Sequence, residues 1–290
     1  MDIGINYISD INDEVYRYLI KKGYINTLKF PGKFCNYDEL KRFIDFSNEM
    51  GVKKDIHGLP DMVPASHSTK FIENVKWSSI KNILPICSRI STHMGLENKE
   101  KISNYKENTF EENIAKLKSQ IKCDVGIENI PGGFEFDKET ITPTFISDVW
   151  KKADFGVFDI SHAKLAAKDL NISYDEYLEK IENKDKVRIL HISGNIDKTN
   201  KYQNKPDKHI LISNQEIKYV LQAIKEFSNL DLIVSEYAYN TKYTYEKEII
   251  IEAIVLWTII NTCNAEMADN VLKRLEQDLK DDISNIEELI

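Results

Sequence analysis

The sequence predicts a single-domain (β/α)8 (TIM) barrel, and three observations carry the prediction. Eight short runs rich in β-branched and apolar residues recur along the 290 residues. Segments of helical periodicity lie between them. Potential metal ligands close six of the runs, and strand ends converge at the C-terminal mouth of such a barrel. Alternation of strand and helix calls for parallel pairing with right-handed crossovers, and closure into a barrel leaves no strand edge exposed.

In chain order, the first strand is read at IGINYI from Ile3 and the second at INTLKF from Ile25. Tyr37 to Met50 follows with helical spacing, then a third strand at VKKDIH from Val52 and a helical stretch from Thr69 to Pro85. The fourth strand is SRISTH from Ser88, followed by a helix over Asn108 to Ile121; the fifth is CDVGIE from Cys123 and the sixth FGVFDI from Phe155. A helix over Tyr174 to Ile181 leads to the seventh strand, VRILHI from Val187, and one over Asn214 to Phe227 to the eighth, DLIVSE from Asp231. Tyr245 to Thr262 reads as the last barrel helix. It contains the most apolar stretch, IIIEAIVLWTII, which Glu252 interrupts and which is too short to span a bilayer. After Asn264 the chain is charged and helix-favouring, with Val271, Leu272, Leu275 and Leu279 at helical spacing, as expected of an extra C-terminal helix docked on the barrel. About 250 residues is typical of this fold, and no linker or low-complexity tract marks a second domain. Residues 1–263 are therefore read as the barrel and 264–290 as an extension of it.

Composition narrows the partners. A net charge of −8 gives no general electrostatic reason to bind nucleic acid. Cys35, Cys87, Cys123 and Cys263 are widely spaced and form no C-x-x-C, which indicates neither a disulfide scaffold nor a cysteine metal site and fits a reduced cytoplasmic setting. The opening MDIGINYISD is acidic and already strand-like, so no signal peptide is read there, and no membrane association is expected.

Nine residues are candidate metal ligands: His57, His93, Glu128, Asp159, His162, His191, Asp207, His209 and Glu236. A lone histidine at a strand end is more often a hydrogen-bonded rim residue than a ligand. Joint placement changes that balance, because five of the six histidines and four carboxylates fall at strand ends or just after them, whereas His67 does not. Without a cation, several carboxylates and imidazoles would share one partly dehydrated mouth, where unpaired charge costs several kcal/mol. Asp159 and His162 are three apart where a strand turns toward a helix, a spacing that lets them address adjacent metals. Asp207 and His209 are two apart, which in an extended loop points both side chains the same way. Nitrogen and oxygen ligands without thiolate suit zinc, iron or manganese. Asn6, Asn129 and Asn195 end or follow strands and are candidate substrate contacts; loop capping and support of the ligands are the competing roles.

The order His, His, Glu, Asp-x-x-His, His, Asp-x-His, Glu from Ile3 to Glu236 resembles the xylose-isomerase-like superfamily in its trinuclear form, which includes endonuclease IV and the multinuclear non-heme iron-dependent oxidative enzymes. ISTHMGL is similar to the Ser-x-His strand end of the oxidative family, and the opening IGINYISDINDEVYRYLIKKGYINTLKF, GIENIP and HISGN resemble it as well. FDISHAKLAAKDL and PDKHI are closer to endonuclease IV, but ILISNQ stands where the nucleases carry a glycine-bearing segment, and no Pro-Gly follows His93. The loops after the first two strands offer Lys29, Lys33 and Phe34 for DNA contact but no arginine.

The resemblance implies one metal on His57, His93 and Glu128, a second on Glu128, Asp159, His191 and Glu236, and a third on His162, Asp207 and His209. It implies an oxidative enzyme holding two to three iron ions of mixed valence that modifies a ribosomally made precursor peptide, chiefly at cysteine, with dioxygen. Glu128, Asp159, His191 and Glu236 are then the leading residues for the chemistry, and a small leader-binding partner protein is expected. The alternatives are a zinc hydrolase of the endonuclease IV type acting on abasic-site DNA and, third, a metal-dependent sugar isomerase or epimerase, with zinc or manganese in place of iron.

Overall fold

Eight strands, β1 (Asp2–Asn6), β2 (Thr27–Phe30), β3 (Lys53–His57), β4 (Arg89–His93), β5 (Asp124–Glu128), β6 (Phe155–Asp159), β7 (Val187–Ile192) and β8 (Leu232–Ser235), pair in parallel and in sequence order, and β8 returns to β1 to close a barrel. The computed structural model describes residues 1–32, 35–62, 71–80, 89–94, 109–121, 123–133, 138–194, 208–237 and 246–278. All eight predicted strands are present, each within two residues of its expected bounds. Predicted helices form at α2 (Tyr37–Met50), α4 (Thr109–Ile121), α7 (Tyr174–Glu179), α8 (Asn214–Glu226) and α9 (Glu246–Thr262). Of the stretch Thr69 to Pro85, only α3 (Trp77–Ile80) is a described helix. Helices α1 (Asp13–Lys21), α5 (Pro143–Lys152) and α6 (Ile160–Asp169) complete the outer layer. Local chemistry sets their ends: Asn36 and Glu39 form a capping box on α2, Ser213 and Glu216 one on α8, and Thr142 caps α5 with proline at its first position.

Helix α9 is apolar nearly all round because it is enclosed, packing on β1, β8, α1 and the helix that follows it. The C-terminal helix, α10 (Ala265–Asp278), lies against α9 and α8 and buries Ala268 and Leu272; Leu279 lies outside the described residues. Among the described residues no helix is long and apolar enough to cross a membrane.

Alternation along each strand divides the core in two. Leu28, Phe30, Ile56, Ile90, Val125 and Ile127 face outward to the helices. Phe155, Val157, Ile189, Leu232 and Val234 form a separate apolar cluster in the lumen, supplied by β6 to β8. The Phe155 ring crosses to β5, where a Cβ on Gly126 would lie 2.1 Å from its Cε2. Opposite them, the lumen is lined by polar residues of β1 to β4: Asn6, Lys29, Asp55, His57, Arg89 and Ser91 are all buried. Arg89 lies 3.5 Å from Asp55 and 2.6 Å from Asp231, and Arg188 also holds Asp231 at 2.6 Å. Burial pushes the Asp55 carboxyl upward despite Arg89 and Lys29. One half of the barrel is thus filled by apolar packing and the other by paired charge, and the charged column rises into the ligand cluster above it.

Candidate metal centre

The strand ends deliver two ligand groups that share one carboxylate. Ligand atoms of His57, His93 and Glu128 lie within 4.8 Å of one another, and so do those of Glu128, Asp159, His191 and Glu236. Six of the nine sequence candidates therefore converge. Glu128 joins the groups with different oxygens: Oε2 lies 3.3 Å from His57 Nε2 and 3.6 Å from His93 Nδ1, whereas Oε1 lies 3.2 Å from His191 Nδ1. Glu236 stands 3.2 Å from the same His191 nitrogen.

His57 is oriented by the neighbouring strand. Its register partner Ser91 places Oγ 2.9 Å from Nδ1, and Nε2 then faces His93 Nε2 at 3.1 Å. With the proton on Nδ1 shared with Ser91, the His57 Nε2 lone pair points into the first group, a support common behind ligating histidines. Burial, reinforced by Lys29, holds both His57 and His191 well below the usual imidazole range, so both rings are neutral at pH 7. Burial and then Glu236 push the Glu128 carboxyl well above its usual range. Burial also acts to raise Glu236, but Lys29, then His191 and His209, hold it well below.

A divalent cation fits this arrangement. Both oxygens of Glu128 and both ring nitrogens of His191 are buried and make no hydrogen bond. Orphaned buried polar atoms cost about 1–3 kcal/mol each and are rare in folded proteins. A cation in each group would give the two Glu128 oxygens and one His191 nitrogen a partner, and the N/O donor set suits iron, zinc or manganese alike.

The remaining candidates stand around this pair. Asp159 caps α6, accepting the His162 N–H at 2.6 Å, so the Asp-x-x-His spacing is a helix N-cap as well as a pair of candidate ligands. The His162 ring meets the Asn129 carbonyl at 2.8 Å and Glu128 Oε1 at 3.3 Å without joining either four-atom or three-atom group. His209 approaches Glu236 Oε2 at 3.5 Å, but its φ of +47° is left-handed, not extended as the Asp-x-His argument assumes. The segment around it is pinned by paired backbone bonds between Gly194 and Ile210, possible because a Cβ on Gly194 would lie 2.1 Å from the Leu211 carbonyl oxygen. Asp207 and Asn195 lie outside the described residues. Asn129 takes the supporting role that competed with substrate contact: its amide donates to Asp159 O at 3.0 Å and accepts from Asp159 N at 2.7 Å, clamping the end of β6. Asn6 is buried and donates to Tyr237 O at 3.4 Å.

Lys29 corrects the sequence reading most sharply. Read there as a loop cation for DNA, it is fully buried in the lumen, and its ammonium bonds Glu236. The signal that could have found it is the alternation in Thr27-Leu28-Lys29-Phe30, which sends Leu28 and Phe30 to the helices and Lys29 inward. Lys33 and Phe34 lie outside the described residues.

No family model and no curated protein matches the chain. Solved structures share its fold. A D-tagatose 3-epimerase-like protein superposes with TM-score 0.58 at 16% identity over 90% of this chain and 100% of its own. A xylose isomerase domain containing protein from Salmonella typhimurium LT2 gives 0.61 at 11% identity over 91% of this chain and 97% of its own. An IolI protein with a bound zinc atom gives 0.55 at 13% over 95% and 99%. What these structures share with the chain is the closed (β/α)8 barrel, and in this chain the mouth carries a candidate metal site.

Proposed function

We propose that the chain is a multinuclear metal enzyme that uses two to three iron ions and dioxygen to modify a ribosomally made peptide, chiefly at cysteine. The observation that carries this reading is the division of Glu128 between two ligand groups, since a centre for one ion needs only one of them. The motifs ISTHMGL, GIENIP and HISGN add to it: Ser91 orients His57, Glu128 bridges, and Gly194 admits the segment bearing His209.

In this reading His57, His93 and Glu128 hold one ion, and Glu128, Asp159, His191 and Glu236 hold the next; His162, Asp207 and His209 are assigned a third by resemblance. Bound iron would supply open coordination positions for a thiolate and the electrons for dioxygen activation. The protein's own part is positioning. The neutral imidazoles of His57 and His191 present lone pairs, Asn129 fixes the backbone that carries Asp159, and the apolar half of the lumen seals the centre from below. A small partner protein would present the peptide leader.

A second reading, a metal-dependent sugar epimerase or isomerase, is supported by the D-tagatose 3-epimerase-like fold neighbour and by the carboxylate-rich second group, which would serve with a single zinc or manganese ion. The nuclease reading loses support, because the lumenal Lys29 cannot contact a duplex. Anaerobic purification from iron-supplemented cells, with metal analysis and oxygen uptake, separates the readings. Two to three irons per chain and oxygen consumption that depends on a cysteine-bearing precursor peptide are expected. One manganese or zinc per chain, interconversion of a ketose with its epimer and no oxygen uptake would overturn the oxidative reading.

A further inference from the structure

Lys29 is the one lysine whose side chain is fully enclosed among the described residues that surround the centre, and its ammonium is bonded to Oε1 of Glu236. That oxygen is also 3.2 Å from His191 Nδ1, while Oε2 of the same carboxylate faces His209 at 3.5 Å. The ammonium is therefore one hydrogen bond away from the second ligand group, and β2 fixes it there through its register with Asn6 on β1 and Asp55 on β3.

Charge makes this placement consequential. Once ionised to take metal, Glu128, Asp159 and Glu236 bring three negative charges to the two groups, so with Lys29 they amount to two negative charges. One divalent ion neutralises them. A second leaves two positive charges in a dry mouth beside a fixed ammonium, where electrostatic interactions are poorly screened. Lysine, a compact point charge, also holds a single oxygen rather than both.

We infer that Lys29 is a built-in counter-cation that competes with metal for Glu236: it restricts that carboxylate to ligation through Oε2 and makes one of the two metal positions bind weakly until an anionic ligand arrives. Loading of the centre is thereby coupled to substrate. The same ammonium stabilises the metal-free protein, in which Glu236 would otherwise be a buried, uncompensated charge. Lys29 is a positioning residue in this scheme, acting through Glu236. The inference rests on the reading of the cluster as a metal site.

Titration of metal-free protein with zinc, followed by calorimetry and by dialysis with elemental analysis, tests it. The wild-type chain should show two distinguishable affinities. Lys29→Met should lower the melting temperature of the metal-free protein, tighten the weaker zinc step by at least about ten-fold, about 1.4 kcal/mol, and enlarge the zinc-induced rise in melting temperature. Lys29→Arg should resemble the wild type. A purely structural lysine predicts the opposite for Lys29→Met, weaker zinc binding along with lower stability, and that result would overturn the inference. If Lys29→Met does not fold, the wild-type protein decides. A crystal structure with zinc should keep the Lys29–Glu236 contact and show Glu236 bound through one oxygen, whereas a bidentate Glu236 with Lys29 displaced would sink the idea. A wild-type chain that binds no zinc or iron defeats the metal-site reading itself. Zinc binding that Lys29→Met leaves unchanged defeats only the role given to Lys29.

Discussion

Replacing Glu128 with glutamine changes one atom at the point where the two ligand groups meet. The side chain is fully buried, with Oε2 3.3 Å from His57 and Oε1 3.2 Å from His191. In the metal-free protein the substitution removes a carboxyl that burial and Glu236 hold well above its usual range. Such a group costs stability as pH rises from its unfolded value toward its folded one, so metal-free Glu128→Gln should equal or exceed the wild type at neutral pH. With metal the order reverses. An ion at a hundred times its dissociation constant stabilises the native state by about 2.7 kcal/mol, which for a domain near this size raises the melting temperature by about 5–10 °C. The amide retains the shape of the bridge but not its charge, and that rise should shrink to near zero while bound metal falls by at least one ion per chain. Differential scanning calorimetry with and without added iron or zinc, beside elemental analysis, reads both effects. A variant that keeps full metal content and the full thermal shift would refute the bridging role of Glu128. A metal-free variant that melts far below the wild type would refute the electrostatic argument.

Two further predictions concern the scaffold. Gly126→Ala would place a methyl 2.1 Å from the Phe155 ring in the lumen, and overpacking of this kind costs about 1–3 kcal/mol; urea unfolding should register that loss and a partial recovery in Gly126→Ala/Phe155→Leu, and equal stability of the single variant would mean that the lumen has more room than the packing shows. Glu252 on α9 accepts the Ile212 N–H at 2.6 Å behind the His209 segment, and burial raises its carboxyl to about 8. Wild-type stability should therefore fall as pH climbs from the ordinary carboxylate range through about 8, by an amount on the order of a few kcal/mol, and Glu252→Gln should flatten that slope; melting curves between pH 5 and 9 that stay parallel would contradict it.

Sequence alone determined much of this protein, because a barrel strand writes itself twice. Its β-branched composition marks the strand, and its last lumen-facing residue marks the mouth, so His57, His93, Glu128, Asp159 and His191 were legible as strand-end side chains before any neighbour was known, and Glu236 as the residue just past β8. Periodicity likewise exposed α2 and α8, whose apolar faces are long and capped, and the long apolar run of α9 marked that helix. Short α1 and α6 were harder to see: α6 begins on Asp159 itself, so the same residues serve as strand end, helix cap and ligand candidate, and no single pattern dominates. Tertiary structure alone decided what supports the ligands. The sharing of Glu128 came with the resemblance, but that its two oxygens face different groups, that Ser91 aims His57, and that Asn129 clamps Asp159 all depend on register between strands far apart in sequence. Lys29 shows the reason most plainly. A lysine in isolation is a solvent-seeking cation, and only a closed barrel that sets a buried carboxylate beside it makes the lumen its lower-energy place.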